Sequence, residues 1–272
     1  IVKHPHIKRI AFTGSTATGL AIQRDAAEIA IKHISLELGG KNPQIIFPDA
    51  DLEQAVKYAI IGMNYGVCTG QSCGSNSRIF VHKDIHATFM DMLVEQVSKL
   101  TVGNPLDENT EIGPMVTEAQ QEKVLRYLQY GEEEGAQLVY GGKVPDQEPL
   151  NHGFYVTPAI VDQVEQHMRI AREEIFGPVM SILQWDDWDE VIREANDVDL
   201  GLTASIWTKD LEMAHITANR LKAGYIWIND TNQHYPGTPF GGFKNSGTGR
   251  EESIDEIKSY CEQKVVHTIL RR

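Results

Sequence analysis

The chain has few cysteines, no clustered basic charge and no long hydrophobic run, and each shortage removes a class of protein. Its 272 residues include three cysteines, Cys68, Cys73 and Cys261. That odd number, without metal-ligand spacing, argues against a disulfide framework or a zinc knuckle and fits a reduced, cytoplasmic setting. Lysine and arginine number 25 against 38 acids, for a formal charge of −13. A nucleic-acid surface needs a basic stripe, so no nucleic-acid partner is expected. No apolar run approaches the roughly 18 residues of a membrane span, so no membrane association is expected either. No signal peptide is recognisable. Apolar residues make up 41% and charged residues 23%, the composition of a globular protein with enough chain for a sizeable core.

What is present is an alternation of strand-like and helix-like stretches, the pattern of an α/β protein with a largely parallel sheet. Strands are expected over residues 7–12, 33–38, 44–47, 77–81, 137–140, 154–160, 203–207 and 224–229. Helices are expected after the turn at residues 13–16, from about 51 to 65, and over 85–100, 117–135, 187–196 and 209–222. Ser15 or Thr16 is the candidate N-cap of the first helix, and Asp49 or Asp51 of the second. Residues 101–116 and the glycine-rich run 237–249 read as loops. Residues 265–270 alternate as a terminal strand, whose exposed edge would ask for a partner. The chain opens at Ile1 inside a strand-bound segment and is expected to be the C-terminal part of something longer. A boundary near residue 38 would separate a strand–helix unit, too small to bury its own core, from a larger domain.

Five motifs carry the chemistry. Glu37-Leu38-Gly39-Gly40-Lys41 and Gly70-Gln71-Ser72-Cys73 each frame a reactive side chain with glycine, a thiol suited to nucleophilic attack and a carboxylate suited to activating water. Taken singly, each has an ordinary reading as a packed thiol or a solvated turn. Thr13-Gly14-Ser15-Thr16-Ala17-Thr18-Gly19 follows a strand and opens a helix, where backbone amides and the helix N-terminus favour a phosphate. Its spacing is neither that of the dinucleotide fingerprint nor that of a Walker loop. Glu173-Glu174-Ile175-Phe176-Gly177-Pro178 either offers a carboxylate for ribose hydroxyls and an aromatic ring to pack beside a nicotinamide, or is a helix end with an acidic rim and one core Phe. Pro239-Phe240-Gly241-Gly242-Phe243-Lys244-Asn245-Ser246-Gly247-Thr248-Gly249-Arg250-Glu251 is either a pocket wall or a surface turn. Asn229, ending the strand that carries Trp227, either points into a site or closes a turn.

The ordered set of these motifs, from about Lys8 to about Leu270, closely resembles the NAD(P)-dependent aldehyde dehydrogenase superfamily. The resemblance implies a three-layer α/β catalytic domain over residues 39–252. Residues 1–38 would end a truncated Rossmann-like coenzyme domain, and residues 253–272 would be a C-terminal bridging segment with an oligomerisation strand. It implies oxidation of a small aldehyde to a carboxylic acid with NAD or NADP, in a homodimer or homotetramer. Cys73 matches the catalytic nucleophile and Glu37 the general base. Gly14, Ser15 and Gly19 match the coenzyme-binding turn, Glu174 and Phe176 the residues near the nicotinamide ribose, and Asn229 and Phe240 the substrate end of the pocket. Cys68 matches no catalytic position. The family's oxyanion-donating Asn and ribose-contacting Lys lie upstream of the first motif and have no match in this chain. Because an ordinary thiol, with a pKa of about 8.5, is only a few per cent ionised at pH 7, the implied mechanism predicts a lowered pKa at Cys73. Two alternatives remain: a CoA-acylating semialdehyde dehydrogenase, against which the acid at Glu37 argues, and an inactive fragment that keeps only assembly contacts. A cysteine hydrolase would need a histidine beside Cys73.

Overall fold

The computed structural model describes residues 1–271. A seven-stranded sheet forms the centre, in the order β10 (Tyr225–Ile228), β9 (Thr203–Trp207), β3 (Pro43–Ile46), β4 (Arg78–His82), β7 (Val179–Trp185), β6 (Ala159–Asp162) and β5 (Gln137–Tyr140). All neighbours are parallel except β5, which pairs antiparallel at one edge. This is the largely parallel α/β sheet that the alternation predicts. A small second sheet joins β1 (Arg9–Thr13) and β2 (His33–Glu37) in parallel, with β12 (Gly247–Thr248) antiparallel on β2. β8 (Leu200–Gly201) and β11 (Phe243–Lys244) make a short antiparallel pair.

Helices cover both faces of the large sheet, giving the three layers. α2 (Leu52–Gly62) and α4 (Lys83–Val97) bury Ala55, Ala59, Phe89 and Leu93 against Ile46, Ile79, Val81 and Ile182. On the opposite face α5 (Glu118–Glu133), α7 (Trp188–Asn196) and α8 (Leu211–Arg220) bury Val124, Leu128, Val191 and Ala214 against Ile45, Phe80, Val161 and Leu183. Adjacent residues of one strand therefore serve opposite cores, so central strands read as continuous apolar runs. This explains the element missing from the sequence reading. β7 lies buried at the centre of the sheet, and its Val-Met-Ser-Ile-Leu run has no alternation to mark it.

Ser15 and Asp51 are the observed N-caps of α1 (Thr16–Ala27) and α2; their side-chain oxygens accept from Thr18 N and Gln54 N. The second helix stops earlier than expected. Asn64 takes a left-handed φ of 57°, and a one-turn helix α3 (Tyr65–Cys68) follows. A further short helix, α6 (Arg169–Arg172), precedes Glu173, and α9 (Ile254–Ser259) is the last element. The expected strand at 265–270 is corrected by the structure. Residues 262–271 form no helix or strand, and Val265 and Leu270 are each 89% exposed. Their alternation lacks the partner edge that alone turns an extended segment into a ladder. Among the described residues no helix is long and apolar enough to cross a membrane.

The change from small to large sheet falls between β2 and β3, across Leu38–Asn42. The separation is not clean, because β12 returns from the glycine-rich run to pair with β2. Ser246 fastens that return: its hydroxyl donates to Gly39 O at 2.6 Å and accepts from Gly201 N at 2.8 Å.

Candidate active site

One cavity of about 550 Å³ is lined by Thr13, Gly14, Ser15, Glu37, Leu38, Gly39, Cys68, Gln71, Ser72, Cys73, Gln120, Lys123, Glu174 and Phe176. Its size suits a small ligand or part of a cofactor. Of the residues singled out in the sequence, Cys73, Glu37, Gly14, Ser15, Glu174 and Phe176 come together there. A larger surface groove of about 1000 Å³ shares none of these residues and offers no thiol or hydroxyl nucleophile.

The glycines explain how the motifs meet. A Cβ on Gly40 would collide with the Cys73 carbonyl, and one on Gly39 with the Glu174 carboxylate. Gly39 and Gly40 thus let one stretch of backbone touch the thiol loop and the acidic turn at once. Asn42 locks the approach. Its Nδ2 donates to Cys73 O at 2.7 Å and Ser75 O at 2.9 Å, while its Oδ1 accepts from Thr203 N. Gly70, at φ 73°, presses on the Gly177 carbonyl and Pro178. Gln71 fixes the same loop by accepting from Val116 N at 2.9 Å and donating to Cys68 O at 3.1 Å.

Glu37 ends β2 and is 4% exposed, and both its carboxylate oxygens are buried without a hydrogen-bond partner. Burial pushes its pKa up to about 8; Glu251 and, more weakly, Glu252 add to the rise, and Arg250 opposes it. Glu174 is held differently. Its Oε1 accepts from Gly40 N at 2.9 Å, and no hydrogen bond among the described residues reaches Oε2. Burial raises its pKa as well, but Gly40 N–H and the ammonium groups of Lys123 and Lys41 work against that rise. Lys41 is fully buried with its Nζ unpartnered, and burial lowers its pKa to about 7.

The expected lowering at Cys73 is corrected. Burial raises its thiol pKa, and Glu174 and then Glu37 raise it further. The backbone N–H groups of Cys73 and Gly74 offset only part of that rise. No cation is among the groups that shift it, so what normally depresses a reactive thiol is lacking. No histidine lines the cavity, which removes the geometry a cysteine hydrolase needs.

Two of the singled-out residues stand apart. Asn229 closes a turn: at φ 53° its Oδ1 accepts from Thr208 N and its Nδ2 donates to Thr208 O, so its side chain is spent on backbone. Gly19 does not line the cavity either. It sits inside α1, where a Cβ would press on Leu38 and Leu36, so it brings the helix close to the small sheet. Phe240 is buried at 8% in a cluster with Leu202, Tyr225 and Trp227, against which Cys73 packs from the cavity side.

The sequence reading missed Gln120 and Lys123. Gln120 donates to the carbonyls of Ile175 at 2.9 Å and Phe176 at 2.7 Å, and Lys123 Nζ donates to Glu174 O at 2.9 Å. They steady the acidic turn from the first turns of α5. Only helical periodicity marks them, and periodicity cannot tell a cavity-facing polar residue from a solvated one.

The cavity is suited to a dinucleotide's nicotinamide–ribose end. A strand-to-helix turn at the N-terminus of α1 forms one part of its wall, Glu174 offers Oε2 as an acceptor, and Phe176 offers a half-exposed ring. Phe176 is held at φ 63°, a conformation aromatic residues rarely adopt outside constrained sites.

Comparison with known proteins identifies the family. The aldehyde dehydrogenase family pattern matches residues 1–266. The chain is 45% identical over 267 residues to the betaine aldehyde dehydrogenase of Brucella melitensis, covering 98% of this chain and 54% of that protein. The NAD+ complex of a Bacillus cereus aldehyde dehydrogenase superposes with a TM-score of 0.91 at 44% identity, covering 96% of this chain and 52% of that one. A Staphylococcus aureus betaine aldehyde dehydrogenase in complex with NAD+ gives 0.91 at 38% identity, covering 95% and 51%. The chain thus spans about half the length of the relatives it matches. With the family pattern matched over nearly all of its residues, the chain belongs to the aldehyde dehydrogenase family.

Proposed function

We propose that this chain carries the nucleophile and base of an NAD(P)-dependent oxidation of an aldehyde to a carboxylic acid. The observation that carries the reading is that Cys73 and a buried, unpartnered Glu37 line one cavity with Glu174 and Phe176. Cys73 attacks the aldehyde carbon to give a thiohemiacetal, with its backbone N–H as one donor to the oxyanion. Gly14, Ser15, Gln120, Lys123, Glu174 and Phe176 would hold a dinucleotide, which would supply the hydride acceptor. The resulting Cys73 thioester is hydrolysed by a water that Glu37 deprotonates. Placing the acid in the thiol's own cavity supports water, rather than CoA, as the acyl acceptor.

Residues 1–38 are read as the remainder of the coenzyme-binding half, 39–252 as the catalytic domain, and 253–272 as an assembly segment of a homodimer or homotetramer. A cytoplasmic location goes with the reading. Betaine aldehyde, named for two of the relatives, is the first substrate to try. Its cationic end suits the aromatic Tyr225, Trp227 and Phe240 beside Cys73.

The test is aldehyde-dependent reduction of the dinucleotide, followed with pH. Glu37 must be anionic to act, and its pKa of about 8 means that the base form grows as pH rises through that value. Hydrolysis of the thioester is therefore expected to rise toward alkaline pH with a midpoint near 8. A rate that falls over this range, or turnover that survives Cys73→Ala, overturns the assignment.

A further inference from the structure

On the far side of Cys73 from the cavity lies an aromatic wall, and a surface loop is fastened over it. Phe240 is fixed by a two-way backbone pairing with Glu251, N to O at 3.0 Å and O to N at 2.7 Å. The His234 ring lies on Phe240 at 4.7 Å between centroids and stacks on Tyr225 at 5.8 Å and 16°. Trp227 Nε1 donates to Gln233 O at 2.9 Å, tying the wall to the loop from beneath.

The loop itself is exposed from Gln233 to Pro239 and forms no regular element that would hold it down. Glu252 supplies what is missing. Its two carboxylate oxygens accept from His234 Nδ1 at 2.8 and 3.0 Å, and its carbonyl accepts from Gly237 N at 3.2 Å. One residue thus grips both limbs of the loop. Its backbone is turned to do so, with φ at 60°, immediately after the residue that pairs with Phe240. A left-handed glutamate is costly unless its surroundings hold it. Here Glu252 N donates to Glu256 Oε2 at 2.9 Å at the start of α9. An exposed ion pair alone contributes little. Two carboxylate contacts and a backbone bond on one short loop contribute geometry instead.

We propose that Glu252 is a positioning residue, a latch that holds the His234 ring onto Phe240 and thereby fixes the wall against which the non-reacting end of the aldehyde rests. The latch rests on the assignment of Cys73 as the nucleophile, but its mechanical part does not. Two readouts separate the two. In the first, the rate of Cys73 modification by a bulky aromatic maleimide is divided by that with iodoacetamide, each read on the Cys73 peptide by mass spectrometry. Releasing the latch opens the wall, so Glu252→Ala raises this ratio and Glu252→Asp restores part of the wild-type value. His234→Phe keeps a ring but loses the bond, and it raises the ratio too, which guards against a misfolded Glu252→Ala protein.

In the second readout, Glu252→Ala raises KM for the aldehyde by about tenfold, the scale of one lost charge-assisted hydrogen bond, and leaves the dinucleotide KM near wild type; kcat is compared at a pH well above the Glu37 value of about 8, where that base is charged with or without Glu252 beside it. An unchanged modification ratio in both Glu252→Ala and His234→Phe overturns the latch whatever the turnover data show. A raised ratio with unchanged aldehyde KM confirms the latch's mechanics but overturns its role in substrate positioning. Absence of turnover in the wild-type chain bears on the proposed function instead.

Discussion

Two carboxylates share the cavity; burial raises the pKa of both, and their neighbours resist that rise to different degrees. Glu174 accepts a backbone N–H at 2.9 Å and has the ammonium groups of Lys41 and Lys123 working to keep it charged. Among the described residues the Glu37 carboxylate has no hydrogen-bond partner, and its charged company includes two further acids, Glu251 and Glu252. A hydrogen-bonded carboxylate is fixed in place and can accept hydroxyl donors; an unpartnered one is free to take up and release a proton near pH 8. Acid–base sites give like groups different roles by surrounding them differently. The division assigns positioning to Glu174 and proton transfer to Glu37.

Exchanging each acid for its neutral amide gives the largest contrast. Glu37→Gln is expected to slow turnover on the order of 10²–10⁴-fold, the usual contribution of a general base, with acylated Cys73 accumulating and visible by intact mass. Glu174→Gln keeps the size of the side chain and is expected to act mainly on the dinucleotide KM, without acyl accumulation. If both variants stall at the acyl-enzyme, the two acids are not divided in this way and the comparison fails.

The glycines that seat each acid and the thiol give a smaller effect. Gly40→Ala sets a methyl group against the fixed carbonyl of Cys73, whereas Gly39→Ala sets one against the end of the Glu174 side chain. Overpacking of this kind typically costs about 1–3 kcal/mol. Chemical denaturation should place Gly40→Ala at the upper end, because backbone cannot step aside. Gly39→Ala should lose less stability and more dinucleotide affinity, because Glu174 can rotate out of its place. Equal stability losses would mean that Glu174 is as rigid as the backbone.

The sequence shows these glycines without showing what they touch. Glu-Leu-Gly-Gly-Lys displays an acid and two glycines, but only the fold shows that one glycine serves the thiol loop and the other the acidic turn at Glu174. Most helices are legible because a helical pattern survives wherever one face meets solvent, while β3, β4 and β9, buried on both faces, are legible only as short apolar runs. β7 is buried in the same way and has no alternation to mark it. The terminal segment differs: Val265 to Leu270 carry the pattern of a strand but pair with no strand of this chain among the described residues. At the site, the thiol and its base are legible as motifs, while Gln120 and Lys123 are ordinary polar positions on a helix. Asn229 carries the right letter in the right motif, and the structure spends its side chain on Thr208. The sign of the Cys73 shift is the least legible quantity, since it depends on which charges the fold brings near the sulfur.

That sign yields the finest test of the two walls. Burial is the largest cause of the raised thiol pKa, Glu174 the next and Glu37 the third. Iodoacetamide modification of Cys73 against pH, read on its own peptide so that Cys68 and Cys261 do not intrude, should show a midpoint above that of an ordinary thiol. Removing a neighbouring negative charge makes the thiolate easier to form, so both Glu174→Gln and Glu37→Gln are expected to move the midpoint down. Glu174→Gln should move it further, for two reasons. It stands ahead of Glu37 among the causes, and Glu37 is largely protonated until pH approaches 8, so below that pH it has little charge to lose. The Glu37→Gln effect should therefore emerge only in the alkaline part of the curve, while that of Glu174→Gln is present throughout. A larger shift from Glu37→Gln, already present at neutral pH, would mean that Glu37 is charged there. Its buried, partnerless carboxylate would then have to be solvated by something that the fold of this chain does not provide.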